Sequence, residues 1–284
     1  MPIRTSTRVG AVTATTTTQQ RPLRVLITGA AQGLGASLAA AWEQRGAEVL
    51  RTDRPAVAVE REDVLGLDIT SDADWAAARD HVERTWGGLD VLVNNAGIAG
   101  GGRLDVSTMD EWQRLVDINL MGAVRGTATF TPVFKRQRGG TIVNVASLAG
   151  LVHPAGMAGY NATKAAVVAL TETTGHELAA YGVSAHVVCP SYFRTGLLAG
   201  AQGADTALTG VMSQLVDHAR LGPDDIATAV LDALDAGTEV ILPDPDAARA
   251  FALKQADRAA YDQTMRAQAR KLAAAAGETV GEPA

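Results

Sequence analysis

The sequence has one cysteine, Cys189, in 284 residues. An intrachain disulfide is therefore impossible, and a reducing, cytoplasmic compartment is expected. Cys189 reads as a small hydrophobe at the end of a strand. No stretch reaches the roughly 18 consecutive apolar residues of a membrane helix, so no membrane partner is expected. Positive charge is in deficit: the net charge is -6 and the pI is near 5.4. Nucleic acid, which needs a basic face, is not an expected partner. His81, His153, His176, His186 and His218 are scattered without ligand spacing, and the lone thiol has no partner thiol. No metal site is supported. There is no internal repeat and no Pro-rich or Ser-rich linker, which favours one domain over two. Aromatic residues make up only 4% of the chain, and Lys135, Lys164, Lys254 and Lys271 are its only lysines among 25 basic residues.

What is present is apolar material, 47% of the residues, enough for a sizeable core in one large domain. A disordered or fibrous chain is excluded. The stretch Met1 to Arg24 is Thr-rich and basic, without an acidic residue and without the apolar h-region of a secretory signal. Its composition faintly resembles a transit peptide, but a flexible tail over residues 1–22 is expected.

From Leu23 onward, strands and helices alternate. Leu23 to Ile27 reads as a buried strand. Leu34, Leu38, Ala41 and Trp42 share a helical face, and Gly46 is placed to end that helix. Val49 and Leu50 belong to a second strand that closes at Asp53. Trp75, Ala78, Val82 and Trp86 mark a helix stopped by Gly87 and Gly88. Leu89 to Val93 is a strand. Ser107 with Asp110 and Thr108 with Glu111 offer overlapping capping boxes for a long helix running past Asn119. Thr141 to Val145 is a strand, Tyr160 to Ala180 a helix, and Val183 to Val188 a strand. Residues 195–220 read as a helical excursion, Pro223 to Ala236 as a helix and Glu239 to Leu242 as a last strand. Strands apolar on both faces imply a doubly wound, mostly parallel Rossmann-type α/β sheet with helices on both faces. The single domain is expected over residues 23–243, with a helical extension over 244–284. Ligands of such a sheet bind beyond the carboxyl ends of its strands.

The first strand ends in Thr28-Gly29-Ala30-Ala31-Gln32-Gly33-Leu34-Gly35. Gly29 permits a tight turn, Gly33 lets the backbone approach a pyrophosphate, and Gly35 lets the helix pack on the sheet. The helix start supplies N–H donors and a positive dipole end. Asp53 closes the second strand, where a carboxylate accepts both ribose hydroxyls of NAD and repels a 2′-phosphate. Arg51 and Arg54 flank it and favour NADP in principle; the balance points to NAD.

The motifs Thr28-Gly29-x-x-x-Gly33-x-Gly35, Asn94-Asn95-Ala96-Gly97, Ser147 and Tyr160-Asn161-Ala162-Thr163-Lys164 occur in this order. Together they resemble the short-chain dehydrogenase/reductase family, over about Leu23 to Leu242. Chance predicts roughly 0.06 Tyr-x-x-x-Lys pairs at this composition, and residues i and i+4 share a helical face. The resemblance implies hydride transfer between NAD and a secondary alcohol or ketone, with Tyr160 as general acid/base. A free phenol has a pKa near 10, and bringing it near 7 takes roughly 4 kcal/mol of differential stabilisation. The Lys164 ammonium and an oxidised nicotinamide are expected to supply it. Lys164 is also expected to hold the nicotinamide ribose, and Ser147 the substrate oxygen. Asn119 is expected to perturb its helix and hold a proton-relaying water. Asn94 is expected to brace the sheet. Gly29, Gln32, Gly33, Leu34, Gly35, Asp53, Asp68, Ile69, Asn95, Ala96, Gly97, Pro190 and Thr195 are expected around the cofactor, with Asp68 facing its adenine.

One departure stands out. The family pattern has Pro-Gly after the sixth strand; here the chain reads Pro190-Ser191-Tyr192-Phe193-Arg194-Thr195. Ser191 puts a side chain where glycine allowed free torsion. The substrate pocket is expected from residues 99–103, 148–157 and 193–215, with Leu148, His153, Phe193, Leu197, Leu198, Met212 and Leu215 as candidates. Its balance is apolar. His153 either bonds a polar substrate group or faces solvent. The C-terminal extension, with Phe251, Leu253, Tyr261, Met265 and Leu272, packs on its own subunit, on a neighbour or over the site mouth. The resemblance also implies a homotetramer, or a dimer, formed through the long fourth and fifth helices of the family's fold. Two other readings share the fold: a non-catalytic nucleotide sensor or scaffold, and a dehydratase or epimerase using bound NAD.

Overall fold

The computed structural model describes residues 21–196 and 203–278. Most of the expected tail, Leu197, Leu198 and residues 279–284 lie outside the described residues. Among those described, seven strands form one parallel sheet in the order β3-β2-β1-β4-β5-β6-β7. The strands are β1 (Arg24–Thr28), β2 (Glu48–Asp53), β3 (Val64–Gly66), β4 (Val91–Asn94), β5 (Gly140–Val145), β6 (Val183–Val188) and β7 (Val240–Ile241). The helices are α1 (Gly33–Gln44), α2 (Pro55–Ala58), α3 (Asp72–Trp86), α4 (Met109–Leu115), α5 (Met121–Gln137), α6 (Ala149–Val152), α7 (Ala158–Leu178), α8 (Thr206–Asp217), α9 (Pro223–Asp235), α10 (Pro245–Ala256) and α11 (Arg258–Ala275). The chain winds outward from β1 to β3, returns to β4 and winds the other way, so the strand order reverses between β1 and β4. A doubly wound sheet binds ligands at that switch point.

Strand alternation divides the core. Val25, Ile27, Val91, Val93 and Val143 face α1 and α9, meeting Leu38, Trp42, Ile226 and Leu231. Leu26, Leu92 and Ile142 face the other way, meeting Trp75, Val82, Phe130 and Phe134 of α3 and α5. Trp75 is 1% exposed, donates its indole N–H to the Ile69 carbonyl at 3.0 Å and meets Phe130 edge-on.

Local chemistry fixes several boundaries. Ser71 caps α3, accepting from the Asp74 N–H at 3.2 Å, and Gly87 ends it at φ +71°. Of the two overlapping boxes, Thr108 with Glu111 starts α4. The long helix expected there is not continuous: a wide π-type turn, Val116–Leu120, separates α4 from α5. The last strand is shorter than expected, Val240–Ile241, and lies at the sheet edge beside β6. A buried polar chain crosses the centre of the sheet. Asn94 Nδ2 donates to Asn144 Oδ1 at 2.8 Å, and Asn144 Nδ2 donates to Thr171 Oγ1 at 2.9 Å. It ties β4, β5 and α7 in register, the bracing expected of Asn94.

Candidate active site

Beyond the carboxyl ends of β1 and β2 the chain forms a cradle. Gly29 has φ +65° and Gly33 φ +57°, torsions that strain any L side chain. A Cβ on Gly35 would lie 2.2 Å from the Gly29 oxygen, so α1 begins this close to β1 only because residue 35 has none. Asn95 holds the turn: its Nδ2 donates to the carbonyls of Thr28 (2.9 Å) and Gly29 (3.2 Å). Thr28 Oγ1 accepts from the N–H groups of Asn95 and Ala96, both at 3.0 Å. α1 opens at Gln32 with no side-chain cap and no acid in its first turn. Its leading N–H groups, at Gly33, Leu34 and Gly35, and its positive dipole end therefore suit an anion.

Asp53 closes β2 half-buried, accepting from the N–H groups of Ala31 (3.2 Å) and Arg54 (2.8 Å). Two nearby arginines are matched by other acids. Arg51 pairs with Glu43 at 2.8 Å, and Arg61 pairs with Asp63 at 2.9 Å while donating to the Ala31 carbonyl. A glycine-lined turn, an uncapped helix start and this carboxylate fit a dinucleotide. Asp68 Oδ1 is engaged locally by the N–H and hydroxyl of Thr70. Ile69 packs into the core against Gly122 of α5.

Beyond β5 and at the start of α7 lie Ser147, Tyr160 and Lys164. Tyr160 is 8% exposed and Lys164 5%. The Lys164 Nζ lies 5.7 Å from the centre of the Tyr160 ring and donates to the Val145 carbonyl at 3.0 Å. Ser147 Oγ accepts from the Ala149 N–H at 3.1 Å. α6, which follows Ser147, touches α7 closely: a Cβ on Gly150 would lie 2.7 Å from the Lys164 carbonyl. Asn119 occupies the wide turn, where its Oδ1 accepts from the Ile98 N–H at 2.8 Å and its Nδ2 donates to the Ile98 carbonyl at 3.0 Å. A Cβ on Gly97 would lie 3.0 Å from Asn119 Oδ1 and 3.6 Å from Lys164 Nζ, so these three residues converge.

The electrostatics of the free chain differ from the expectation that the ammonium activates the phenol. Burial pushes the Tyr160 phenol up to about 12, while the neighbouring Ser147 hydroxyl pulls it down. Burial lowers Lys164 to about 8. Desolvation is the largest cause at both groups, and the ammonium's hydrogen bond goes to Val145.

On the substrate side, an apolar cluster joins Leu115, Ala149, Met157, Tyr160, Leu208, Met212 and Leu272. Leu148 is half-buried and donates its N–H to the carbonyl of the buried Pro190 at 2.9 Å. Phe193, expected on the substrate side, packs into the core cluster of α1 and α9 and not into this one. The residue before it, Tyr192, faces the site, with its hydroxyl 3.9 Å from the Met157 sulfur. The backbone after Pro190 is irregular, so no periodicity could tell the two rings apart. His153 turns to its own helix and to α10: Nε2 meets the Gly150 carbonyl at 3.1 Å and Nδ1 meets Lys254 Nζ at 2.8 Å. Met212 joins the cluster, whereas Leu215 is 45% exposed. Half-buried Thr195 returns to the cradle, its Oγ1 3.6 Å from where a Gly33 Cβ would stand. The side chain introduced at Ser191 is used: its Oγ donates to Asp244 at 2.8 Å and its N–H at 2.9 Å. Among the described residues no group of His, Cys, Asp or Glu is arranged to hold a metal, and no helix is long and apolar enough to cross a membrane.

The family model for short chain dehydrogenases matches residues 24–205. A 3-alpha-(or 20-beta)-hydroxysteroid dehydrogenase of Mycobacterium tuberculosis is 38% identical over 178 residues, 60% of this chain and 68% of that one. A 2-(S)-hydroxypropyl-CoM dehydrogenase of Xanthobacter autotrophicus is 35% identical over 223 residues, 73% of this chain and 87% of that one. The crystal structure of a family member from Burkholderia phymatum in complex with NAD superposes with a TM-score of 0.74 at 27% identity. The match covers 93% of this chain and 98% of that one. The chain belongs to the short-chain dehydrogenase/reductase family, whose members are oxidoreductases acting with NAD(H) or NADP(H).

Proposed function

We propose that this protein transfers a hydride between NAD(H) and a secondary alcohol or ketone of modest polarity, with Tyr160 as the proton donor and acceptor. The observation that carries the reading is the convergence of Ser147, Tyr160 and Lys164 beside an apolar cluster. A protein that only senses a nucleotide has no need of all three.

The cradle from Gly29 to Gly35 would hold the pyrophosphate and Asp53 the adenosine ribose. Asn95, Ala96, Gly97, Asp68, Ile69, Pro190 and Thr195 would surround the rest. Bound there, the nicotinamide supplies or accepts the hydride. In the reducing direction Ser147 Oγ hydrogen-bonds the ketone oxygen and Tyr160 Oη delivers its proton to that oxygen as the new C–H bond forms. Burial keeps the phenol protonated in the free chain, the form from which a proton can be given. In the oxidising direction Tyr160 must lose a proton first, and positive charge arriving beside it offsets its desolvation. Lys164, 5.7 Å from the Tyr160 ring, would lend the phenolate positive charge and would hold the nicotinamide ribose. Asn119, fixed by both amide atoms to Ile98, holds the lysine's end of a proton path.

Asp53 supports NAD over NADP, and of the two arginines that flank it Arg51 is held by Glu43. The relatives' printed names, a hydroxysteroid and a hydroxypropyl substrate, support an alcohol or ketone. A homotetramer is part of the proposal, and light scattering at micromolar concentration would expose a monomer. The deciding assay compares NADH- and NADPH-linked reduction across alicyclic, steroid-like, sugar and hydroxy-acid substrates. A tenfold preference for NADPH overturns the cofactor assignment. Activity confined to sugars or charged acids overturns the apolar substrate.

A further inference from the structure

The geometry points to the C-terminal helices α10 and α11 as a built-in wall of the active site, with Leu272 setting the size of substrate admitted. This rests on the alcohol–ketone reading above. The family model ends at residue 205, so the wall lies outside the part of the chain that defines the family.

Among the described residues, polar contacts fasten the extension to Ser191, to α6 and to Arg103. Asp244, 5% exposed, caps α10 through the Ala247 N–H at 2.7 Å and accepts both donors of Ser191. The side chain that departs from the family pattern after Pro190 is thus half of a matched pair. Lys254 donates to the Leu151 carbonyl and meets His153. Tyr261, 4% exposed, donates to the Val152 carbonyl. α6 is four residues long, and its terminal carbonyls have no following turn to accept from. The extension supplies those donors, and so fixes the segment that carries Ser147 into the site. Glu278 pairs with Arg103, which also holds Asp205 at the start of α8 at 2.8 Å.

Between these fasteners, Leu272 enters the cluster that contains Tyr160, Met157, Leu208 and Met212. It is 7% exposed, and a Cβ on Gly156 would lie 2.4 Å from its Cδ2. Leu272 therefore presses on the backbone one residue before Met157, in close packing where every methyl counts. Removing its branched end leaves space beside Met157; a ring there fills it.

The test uses the full chain loaded with oxidised NAD, so that a ketone binds without being reduced. Dissociation constants for cyclohexanone and 1-decalone are read by saturation-transfer NMR. In Leu272→Ala the preference for decalone over cyclohexanone should rise at least fivefold, and in Leu272→Phe it should fall at least fivefold. The affinity for NAD should stay within twofold in both. Should Leu272→Ala melt below the assay temperature, Leu272→Phe carries the test alone. A ratio unchanged within twofold, or no binding of either ketone to any form, overturns the proposal. A ratio that moves as stated while NADH reduces neither ketone supports the wall and overturns the function proposed above.

Discussion

The Lys164 ammonium sits 5.7 Å from the centre of the Tyr160 ring, yet its hydrogen bond goes to the Val145 carbonyl. Sharing a helical face brings the two groups together but does not couple them in the free chain. Burial governs instead, with the phenol near 12 and the ammonium near 8. A further positive charge beside the phenol would lower its pKa.

The phenol should therefore titrate late. An ultraviolet difference titration of wild type against Tyr160→Phe should place Tyr160 above the ordinary 10 in the free protein, and saturating oxidised NAD should lower it. Ionisation below 10 without NAD contradicts the burial argument.

Lys164 should cost stability. Its folded pKa, about 8, lies below the ordinary 10.5, so the folded chain binds this proton less well than the unfolded one. The penalty is full below about pH 8 and is relieved as pH rises toward 10.5. At 1.36 kcal/mol per pH unit it is about 3 kcal/mol, and losing the Val145 bond returns about 1 kcal/mol. Lys164→Met should stabilise the free protein by about 2 kcal/mol at pH 7 in urea unfolding, with the advantage fading above pH 9. A less stable variant at pH 7 sinks this account.

Asp90 should carry acid stability. Burial alone would raise its pKa, but hydrogen bonds from Arg21 and Arg24 outweigh that and hold it well below the usual carboxylate range. A depressed folded pKa contributes stability above the unfolded value, near 4, and loses it as pH falls further. Asp90→Asn should cost about 1–3 kcal/mol at pH 7. The gap from wild type should narrow below pH 4; a constant gap down to pH 2 argues against the linkage.

Asp53 should select the cofactor. Asp53→Ser removes the carboxylate that would repel a 2′-phosphate, so kcat/KM with NADP should rise at least tenfold relative to NAD. An unchanged ratio of the two cofactors' kcat/KM places discrimination elsewhere.

Much of this site was legible because its motifs sit where strand periodicity ends. Thr28 to Gly35 and Asn94 to Gly97 could be placed from alternation and glycines, whereas the roles of Tyr160 and Lys164 came from the resemblance to the family. Asn119 stood out as a mediocre helix residue, and it does sit in a distorted turn. α2 and α6, each four residues, carry too few turns for a helical period. The exchange of Tyr192 for Phe193 was hidden by irregular backbone after Pro190. The docking of α10 and α11 was hidden for another reason: Lys254 and Tyr261 bond to carbonyls of Leu151 and Val152, which no side-chain pattern records.

The central claim is that Tyr160 moves the proton. Tyr160→Phe removes one oxygen from a buried ring and leaves the cradle from Gly29 to Gly35 untouched. Ketone reduction should fall by about 10³-fold or more, while the calorimetric Kd for NAD stays within about threefold. Turnover within tenfold of wild type in that variant contradicts the mechanism.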